Sequence, residues 1–338
     1  MSCFNAREAW WCKWTDRNGE TQSKIYFRHD HAMIMSNKEC CFFYEEIKVP
    51  CGKCIGCCLD KANDWATRCW AESKQWSENC FITLTYRNSE LPEDKCLCKK
   101  DVQDFFKRLR WHVKGTDYWD NPQTGEHENP IRYLLCGEYG PNPKDREITP
   151  FGRPHYHALI FNWKPKDLKP YKVNYNGDML YKSKELTKIW GKGFVIVGNL
   201  TYQSACYVAR YVSKKIFKDP KHADLIGIQK EFILSSRKGG LGLKYWKDNK
   251  EKIINNGGIF IKIGDKVKLK NIPRYYMRKW DEEEDLEIDF YKVEKMQKGK
   301  ERWKEILSRT DLTESEYMKQ LEESLMEKAQ ILRRDNQI

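Results

Sequence analysis

Two histidines separated by one residue, His155 and His157, lie in a stretch whose composition predicts a β-strand. Side chains in a strand alternate between its two faces, so both imidazoles project from the same face and can bind one ion. Further along, Tyr207 and Tyr211 are four residues apart in a helix-like segment, which puts both phenols on one helix face. A divalent ion beside these phenols suits attack on a phosphodiester, because the ion neutralises the phosphate while a tyrosine oxygen displaces the bridging oxygen.

A catalytic divalent ion usually has three protein ligands and open positions, so two histidines need a third partner. Glu138, at the end of the preceding predicted strand, comes to lie beside the histidines if the two strands pair as a hairpin. Asp145 and Glu147, in the loop between those strands, are the alternatives. A His₂Glu set with water positions suits Mg²⁺ or Mn²⁺ better than a closed zinc site. The competing interpretation is a pair of ordinary strand histidines, one packed and one hydrogen-bonded.

The two tyrosines need help to act as nucleophiles, because a phenol titrates near pH 10. Cations on the same helix would lower that value and balance charge on the phosphate. Lys214 shares the face of both phenols and is the candidate for stabilising the transition state, with Lys215 as the alternative. Aromatic pairs at this spacing more often pack a core, and a second alternative is that one phenol reacts while the other stacks on a base.

Three cysteines, Cys51, Cys54 and Cys57, form two overlapping C-x-x-C units, a spacing typical of zinc sites. A tetrahedral site needs a fourth ligand, and the sequence does not choose among several candidates: Cys58, Cys69, Cys40 and Cys41. A ferredoxin-type cluster would require a cysteine where Lys61 stands, which argues against iron–sulfur. The alternative to a structural zinc is a loop of free thiols.

The composition favours a polyanionic partner. The chain has 338 residues, 40% of them hydrophobic, and a formal net charge of +12. No signal peptide and no run of about 20 apolar residues is visible, so we expect a soluble cytoplasmic protein that does not enter membranes. Its 14 cysteines should then remain reduced.

The order of predicted elements points to an α+β fold. Strands at 80–86, 131–136, 157–161 and 193–197, with intervening helices, give the order β-α-β-β-α-β, the split βαβ or ferredoxin-like (RRM-like) arrangement with a four-stranded antiparallel sheet. A further helix from about 201 to 217 contains both tyrosines, and a helical C-terminal tail is predicted over 280–335.

We divide the chain into three predicted domains. Residues 1–78 form a Cys-rich segment with a helix, residues 79–240 the domain with the histidines and tyrosines, and residues 241–338 a mostly helical extension. The fold of the first 50 residues is not predicted by any pattern.

These residues together resemble the HUH endonucleases, and within them the replication initiators of microvirus-type, especially gokushovirus-type, single-stranded DNA phages. The resemblance covers roughly residues 48–218 and rests on five segments: VPCGKCIGC (49–57), FITLTY (81–86), CGEYG (136–140), GRPHYHALIF (152–161) and YVARYVSKK (207–215).

The resemblance implies a metal-dependent enzyme that cuts and rejoins single-stranded DNA at the viral origin. His155 and His157, with Glu138, would hold Mg²⁺ or Mn²⁺ at the scissile phosphate, and Thr83 and Thr85 would lie near the DNA. One tyrosine would cut the viral strand and keep a 5′-phosphotyrosine, leaving a 3′-hydroxyl that primes synthesis. The other would cut the regenerated origin so that a unit-length circle closes.

The resemblance also implies partners. The sequence contains no G-x-x-x-x-G-K-[ST] phosphate loop, so unwinding and synthesis would fall to host helicase and DNA polymerase in the host cytoplasm. Ala158 follows the second histidine, so this strand offers no additional ligand at that position.

Two other functions remain open at this stage. A plasmid relaxase or transposase would use the same chemistry, although the C-G-K-C and YVARYVSKK segments favour the phage initiators. A non-catalytic, zinc-containing nucleic-acid-binding protein would use the histidines and cysteines structurally. Metal-dependent cleavage of single-stranded DNA separates this last interpretation from the others.

Overall fold

The computed structural model describes residues 3–27, 41–114, 131–140, 152–174, 177–210, 229–237, 239–283 and 286–334. The strands, numbered in chain order, are β1 (Arg7–Thr15), β2 (Thr21–Phe27), β3 (Cys41–Val49), β4 (Asn79–Tyr86), β5 (Arg132–Tyr139), β6 (Pro154–Phe161), β7 (Lys169–Val173), β8 (Met179–Lys182), β9 (Gly193–Asn199), β10 (Phe232–Ser235), β11 (Ile259–Ile263) and β12 (Lys266–Lys270). The α-helices are α1 (Ile55–Ser73), α2 (Lys99–Val113), α3 (Lys184–Trp190), α4 (Tyr202–Arg210), α5 (Leu243–Asn255), α6 (Arg274–Asp281), α7 (Leu286–Leu307) and α8 (Glu314–Arg334).

The predicted α+β fold with its antiparallel sheet is confirmed, and the sheet is larger than expected. In the described part of the chain it has seven strands in the order β10-β5-β6-β4-β9-β8-β7. The four predicted strands are the neighbours β5-β6-β4-β9, all paired antiparallel. β10 extends one edge and the β7–β8 hairpin the other. These short additional strands lack the long alternating pattern from which the first four could be predicted.

Strand β4 shows how the sheet separates two cores. Its residues alternate strictly between buried and half-buried. Ile82 and Leu84 face the first core, which α2 and α3 cover with Phe105, Phe106 and Trp190 among others. The apolar residues of α2 recur at helical spacing, and all of them are buried as predicted.

The opposite face of the sheet is covered by α1 and α4, with the segment from Leu241 onward. Leu159 and Phe161 of β6 contribute to this second core, together with Ala205 of α4 and Trp246 of α5. His155 and His157 have the same parity as Leu159, so they project from this face. Helix α4 was predicted to run to about residue 217; it is described as Tyr202–Arg210, and residues 211–217 lie outside the described part.

The first 50 residues, for which no fold was predicted, contain a three-stranded antiparallel sheet in the order β2-β1-β3. β1 is central, and Arg7 at its start pairs with Val49 at the end of β3. Because these strands are antiparallel, the residues that precede β1 and those that follow β3 emerge at the same end of the sheet.

The chain divides into two compact units: residues 1–60 with 299–329, and residues 61–298 with 330–338. In the first, the predicted capping box at the start of α8 is confirmed. The Glu316 carboxylate accepts hydrogen bonds from the backbone amide and hydroxyl of Thr313 at 2.9 and 2.7 Å. In the second, a β11–β12 hairpin interrupts the predicted helical extension. None of the helices in the described residues is both long and apolar enough to cross a membrane.

Candidate metal and tyrosine site

Strand register brings the two predicted histidines and the predicted glutamate together. β6 lies between β5 and β4, and His155 is paired with Glu138 on one side and Thr85 on the other. His157 is paired with Thr83 of β4. The hairpin pairing on which the choice of Glu138 depended is therefore present.

One carboxylate oxygen of Glu138 faces both imidazoles. Its Oε1 lies 2.7 Å from Nε2 of His155 and 3.1 Å from Nε2 of His157. Glu138 and His157 are 3% and 2% exposed, whereas His155 is half-buried. The group therefore sits at the edge of the core, with His155 on its open side.

The other nitrogen of each histidine is occupied by a partner that fixes the ring. Nδ1 of His155 lies 3.0 Å from the Arg153 carbonyl oxygen and must donate to it, because a carbonyl only accepts. Nδ1 of His157 lies 2.9 Å from Oγ1 of Thr83. Such partners orient metal-binding histidines and leave Nε2 for the ion. This hydrogen bond gives Thr83 a role beside His157 that its spacing did not reveal.

The charge of Glu138 is maintained despite its burial. Burial alone would raise the pKa of this carboxyl, but hydrogen bonds from His155 and His157 outweigh that effect and hold the pKa well below its usual range. A buried, ionised carboxylate with two imidazoles is a typical ligand set for a divalent cation.

The three donor atoms fit a single ion. They all lie within 4.8 Å of one another. Adjacent ligands of an octahedral ion at roughly 2.1 Å are about 3 Å apart, close to the two observed Glu138–histidine distances. The group can therefore hold a metal as one face of an octahedron, with the remaining positions available to water or a substrate oxygen.

Tyr207 places its phenol against this group. Its hydroxyl lies 3.3 Å from Oε1 of Glu138, to which it donates, and 3.3 Å from Nε2 of His157. Phe81 stacks on the His157 ring and meets the Tyr207 ring edge-on, so an aromatic wall supports both. The Arg210 guanidinium lies 5.7 Å from the centroid of the Tyr207 ring, which puts one cation beside the phenol.

Several other predicted residues lie outside the described part of the chain. They are Tyr211, Lys214, Lys215, Asp145 and Glu147. The described residues therefore unite four of the predicted site residues: Glu138, His155, His157 and Tyr207.

The three predicted cysteines are also brought together, with a fourth partner that was not among the candidates. Cys51, Cys54 and Cys57 form a group with Cys3 that is able to hold a metal ion. Cys58 instead directs its thiol at the Lys53 carbonyl oxygen, and Cys69 is buried in the second core. Cys40 and the side chain of Cys41 lie outside the described part.

Comparisons with known proteins place this site in a family context. The family model of the replication-associated protein ORF2 matches residues 79–216, which include all four united residues. The chain is 32% identical to the replication-associated protein ORF2 of Spiroplasma virus 4 over 80% of each chain. It is 32% identical to the replication-associated protein VP4 of Bdellovibrio phage phiMH2K, over 75% of this chain and 74% of the relative. No solved structure gives a significant match.

Proposed function

Because the chain belongs to the replication-associated protein ORF2 family, we propose that it starts rolling-circle replication of a phage genome by cutting and rejoining single-stranded DNA at the origin. The relatives with the longest matches are phage proteins, which favours this role over that of a plasmid relaxase or transposase.

The observation that supports cleavage most directly is the position of the Tyr207 hydroxyl, 3.3 Å from atoms of both Glu138 and His157. A phenol packed only for stability has no need of a buried carboxylate and two oriented imidazoles. A nucleophile needs to be close to the phosphate that such a ligand set would bind, and Tyr207 meets this requirement.

The proposed reaction is a transfer of the phosphodiester to tyrosine. The phenolic oxygen of Tyr207 loses its proton and bonds to phosphorus, while the bond from phosphorus to the 3′ oxygen breaks. That oxygen takes a proton and leaves as the 3′-hydroxyl, and the 5′ phosphate remains on the tyrosine. The reverse reaction, with a 3′-hydroxyl as the nucleophile, rejoins the strand. The tyrosyl bond conserves the energy of the phosphodiester, so joining needs no ATP.

Glu138, His155 and His157 would hold the ion that this reaction requires. Bound Mg²⁺ or Mn²⁺ would neutralise phosphate charge and help to orient the scissile bond. The mixed oxygen and imidazole donors are compatible with Mn²⁺ in particular, since an all-oxygen set is more typical of Mg²⁺. Thr83 and the Arg153 carbonyl would keep the two imidazoles in position.

A second tyrosine allows a second cut without releasing the first product. We propose Tyr211 for this role and Lys214 for stabilising negative charge on the phosphate, as their spacing from Tyr207 suggests. Single-stranded origin DNA is then the substrate, and host helicase and DNA polymerase in the host cytoplasm are the expected partners.

The test is incubation of the purified chain with single-stranded fragments that tile the viral strand, in the presence of Mn²⁺. We expect a covalent protein–DNA adduct that is abolished by EDTA and absent in Tyr207→Phe/Tyr211→Phe. Tyr202→Phe is the matched control, because it removes a phenol from the same helix outside the metal group, and it should form the adduct normally.

Two outcomes would contradict the proposal. A double variant that forms the adduct as well as wild type would exclude both tyrosines as nucleophiles. Metal-loaded wild type that binds the fragments but cuts none would favour a non-catalytic nucleic-acid-binding protein.

A further inference from the structure

A group of four thiols lies in the first compact unit, among residues that the proposed DNA chemistry does not use. Cys3, Cys51, Cys54 and Cys57 each offer a sulfur, and all four sulfurs lie within 4.8 Å of one another. Three of the four residues are buried, and Cys51 is half-buried. They form a small core of their own, with Phe4 packed beside it.

The sulfur–sulfur distances match those around a single tetrahedral ion. Sγ of Cys51 lies 4.0 Å from that of Cys57, and Sγ of Cys54 lies 3.9 Å from that of Cys3. Four sulfurs bound to zinc at about 2.3 Å are about 3.8 Å apart. A disulfide would require roughly 2.05 Å, and none of the cysteines in the described residues is bridged.

The backbone around Cys51 is arranged to stabilise a thiolate. Gly52 adopts φ +75°, which turns the chain so that the amides of Lys53 and Cys54 donate to the Cys51 sulfur at 3.4 and 3.3 Å. The Cys51 amide in turn donates to the Cys3 sulfur at 3.2 Å. Burial raises the pKa of the Cys51 thiol, but these amide bonds outweigh burial and lower it to about 7.

The fold explains why the fourth thiol comes from so far away in the sequence. Arg7 of β1 pairs with Val49 of β3, and Cys3 and Cys51 lie just beyond this pair on the two strands. Antiparallel pairing therefore delivers Cys3 to the C-x-x-C-x-x-C segment, whose last cysteine lies in the first turn of α1.

We propose that Cys3, Cys51, Cys54 and Cys57 form a closed, structural Zn²⁺ site that joins the start of β1, the end of β3 and the first turn of α1. The four-thiolate set leaves no open position for substrate, as is typical of structural zinc. The three-stranded sheet has little apolar core at this end, and a bound ion would supply the stabilisation that such a small unit otherwise lacks.

The site is tested by metal analysis of the full chain, purified after expression with added zinc and without chelators. We expect one zinc per chain, and the same content in His155→Ala/His157→Ala, which removes the other metal group. Cys3→Ser should lose the zinc. Cys58→Ser is the matched control, since it removes a neighbouring thiol outside the group and should retain the ion.

A second measurement does not depend on a variant that folds. Wild type refolded with Co²⁺ should show the intense visible and near-ultraviolet absorption of tetrahedral cobalt bound to thiolates, and this absorption should disappear when Zn²⁺ is added. Iron instead of zinc in the purified protein, zinc retained by Cys3→Ser, or a Cys3–Cys54 disulfide in a protein that binds no metal would each overturn the proposal.

Discussion

At the scale of single residues, the site depends on how the histidines are held as much as on the histidines themselves. Glu138, His155 and His157 follow from spacing, because a strand period of two and a hairpin pairing are readable in a sequence. Thr83 does not follow in the same way, since its contact with His157 is set by the register between β4 and β6, strands separated by more than seventy residues. Cys3 was missed for the same reason.

Thr83→Val should weaken divalent-ion binding without unfolding the protein. Valine keeps the shape of threonine but removes the oxygen beside Nδ1 of His157, so the imidazole is no longer fixed. Loss of such a partner typically costs 10- to 100-fold in metal affinity, and we expect roughly that decrease for Mn²⁺ in calorimetry without DNA.

Thr85→Val is the control for this experiment. Thr85 lies on the same strand opposite His155, and no hydrogen bond of its side chain to either imidazole is present in the described structure. It should bind Mn²⁺ as wild type does. Equal affinity of Thr83→Val and wild type would show that the Thr83 contact does not position His157.

At the scale of elements, the turn between β5 and β6 determines whether Glu138 meets His155. Gly140 donates its amide to the Arg153 carbonyl at 2.9 Å, and Gly152 has φ +93°. A Cβ added to Gly152 would lie 1.7 Å from the Gly140 carbonyl oxygen. Only glycine allows the two strands to approach this closely beside the metal group.

Gly152→Ala should therefore disturb the metal group as well as stability. Gly177→Ala is the matched control, because Gly177 has φ +84° but no atom within 4 Å of an added Cβ. Both variants pay about 1–2 kcal/mol for alanine at positive φ, and only Gly152→Ala adds a backbone clash. Urea unfolding should show the larger loss for Gly152→Ala, and calorimetry should show weaker Mn²⁺ binding for it alone. Similar losses in both variants would contradict this account.

Helix α3 has a pH-dependent N-terminal cap. The Ser183 hydroxyl donates to the Asp167 carboxylate at 2.5 Å, and the Glu185 amide donates to the same group at 2.9 Å. Burial raises the pKa of Asp167, but these hydrogen bonds outweigh burial and lower it. A carboxyl with a lowered pKa in the folded state stabilises the fold above its unfolded pKa, near 3.9, and this contribution disappears as the pH falls through the folded value.

Asp167→Asn should accordingly be less stable than wild type by about 1 kcal/mol at pH 7, and the difference should shrink below about pH 4. Urea unfolding of both proteins between pH 7 and pH 3 measures it. A difference that stays constant over this range would show that the Asp167 charge does not stabilise α3.

At the scale of the whole chain, the sequence predicted the central strands but not how the segments share cores. Long alternating strands such as β4 are readable from their pattern, whereas short strands such as β10 gain their stability from neighbours. The second core combines Ala66 of α1 with Trp246 and Trp280, residues on both sides of the predicted domain 79–240. Local patterns contain no information on such long-range packing.

The net charge of +12 leads to a prediction for DNA binding. If the chain neutralises about five phosphates of a single strand, raising monovalent salt from 50 to 200 mM should weaken binding roughly 100-fold. Fluorescence anisotropy with a labelled oligonucleotide, without divalent metal to prevent cleavage, measures the slope. Binding that does not change with salt would exclude this electrostatic mode.

The most direct test of the central claim is to identify the amino acid that becomes joined to DNA. The adduct formed by wild type with Mn²⁺ and a cleaved origin oligonucleotide would be digested with protease and nuclease, and the modified peptide sequenced by mass spectrometry. We predict a nucleotide 5′-phosphate on Tyr207, with Tyr211 modified where Tyr207 is replaced by phenylalanine. A nucleotide attached to a serine, or to a tyrosine outside α4 and the residues that follow it, would contradict the proposed tyrosyl transfer.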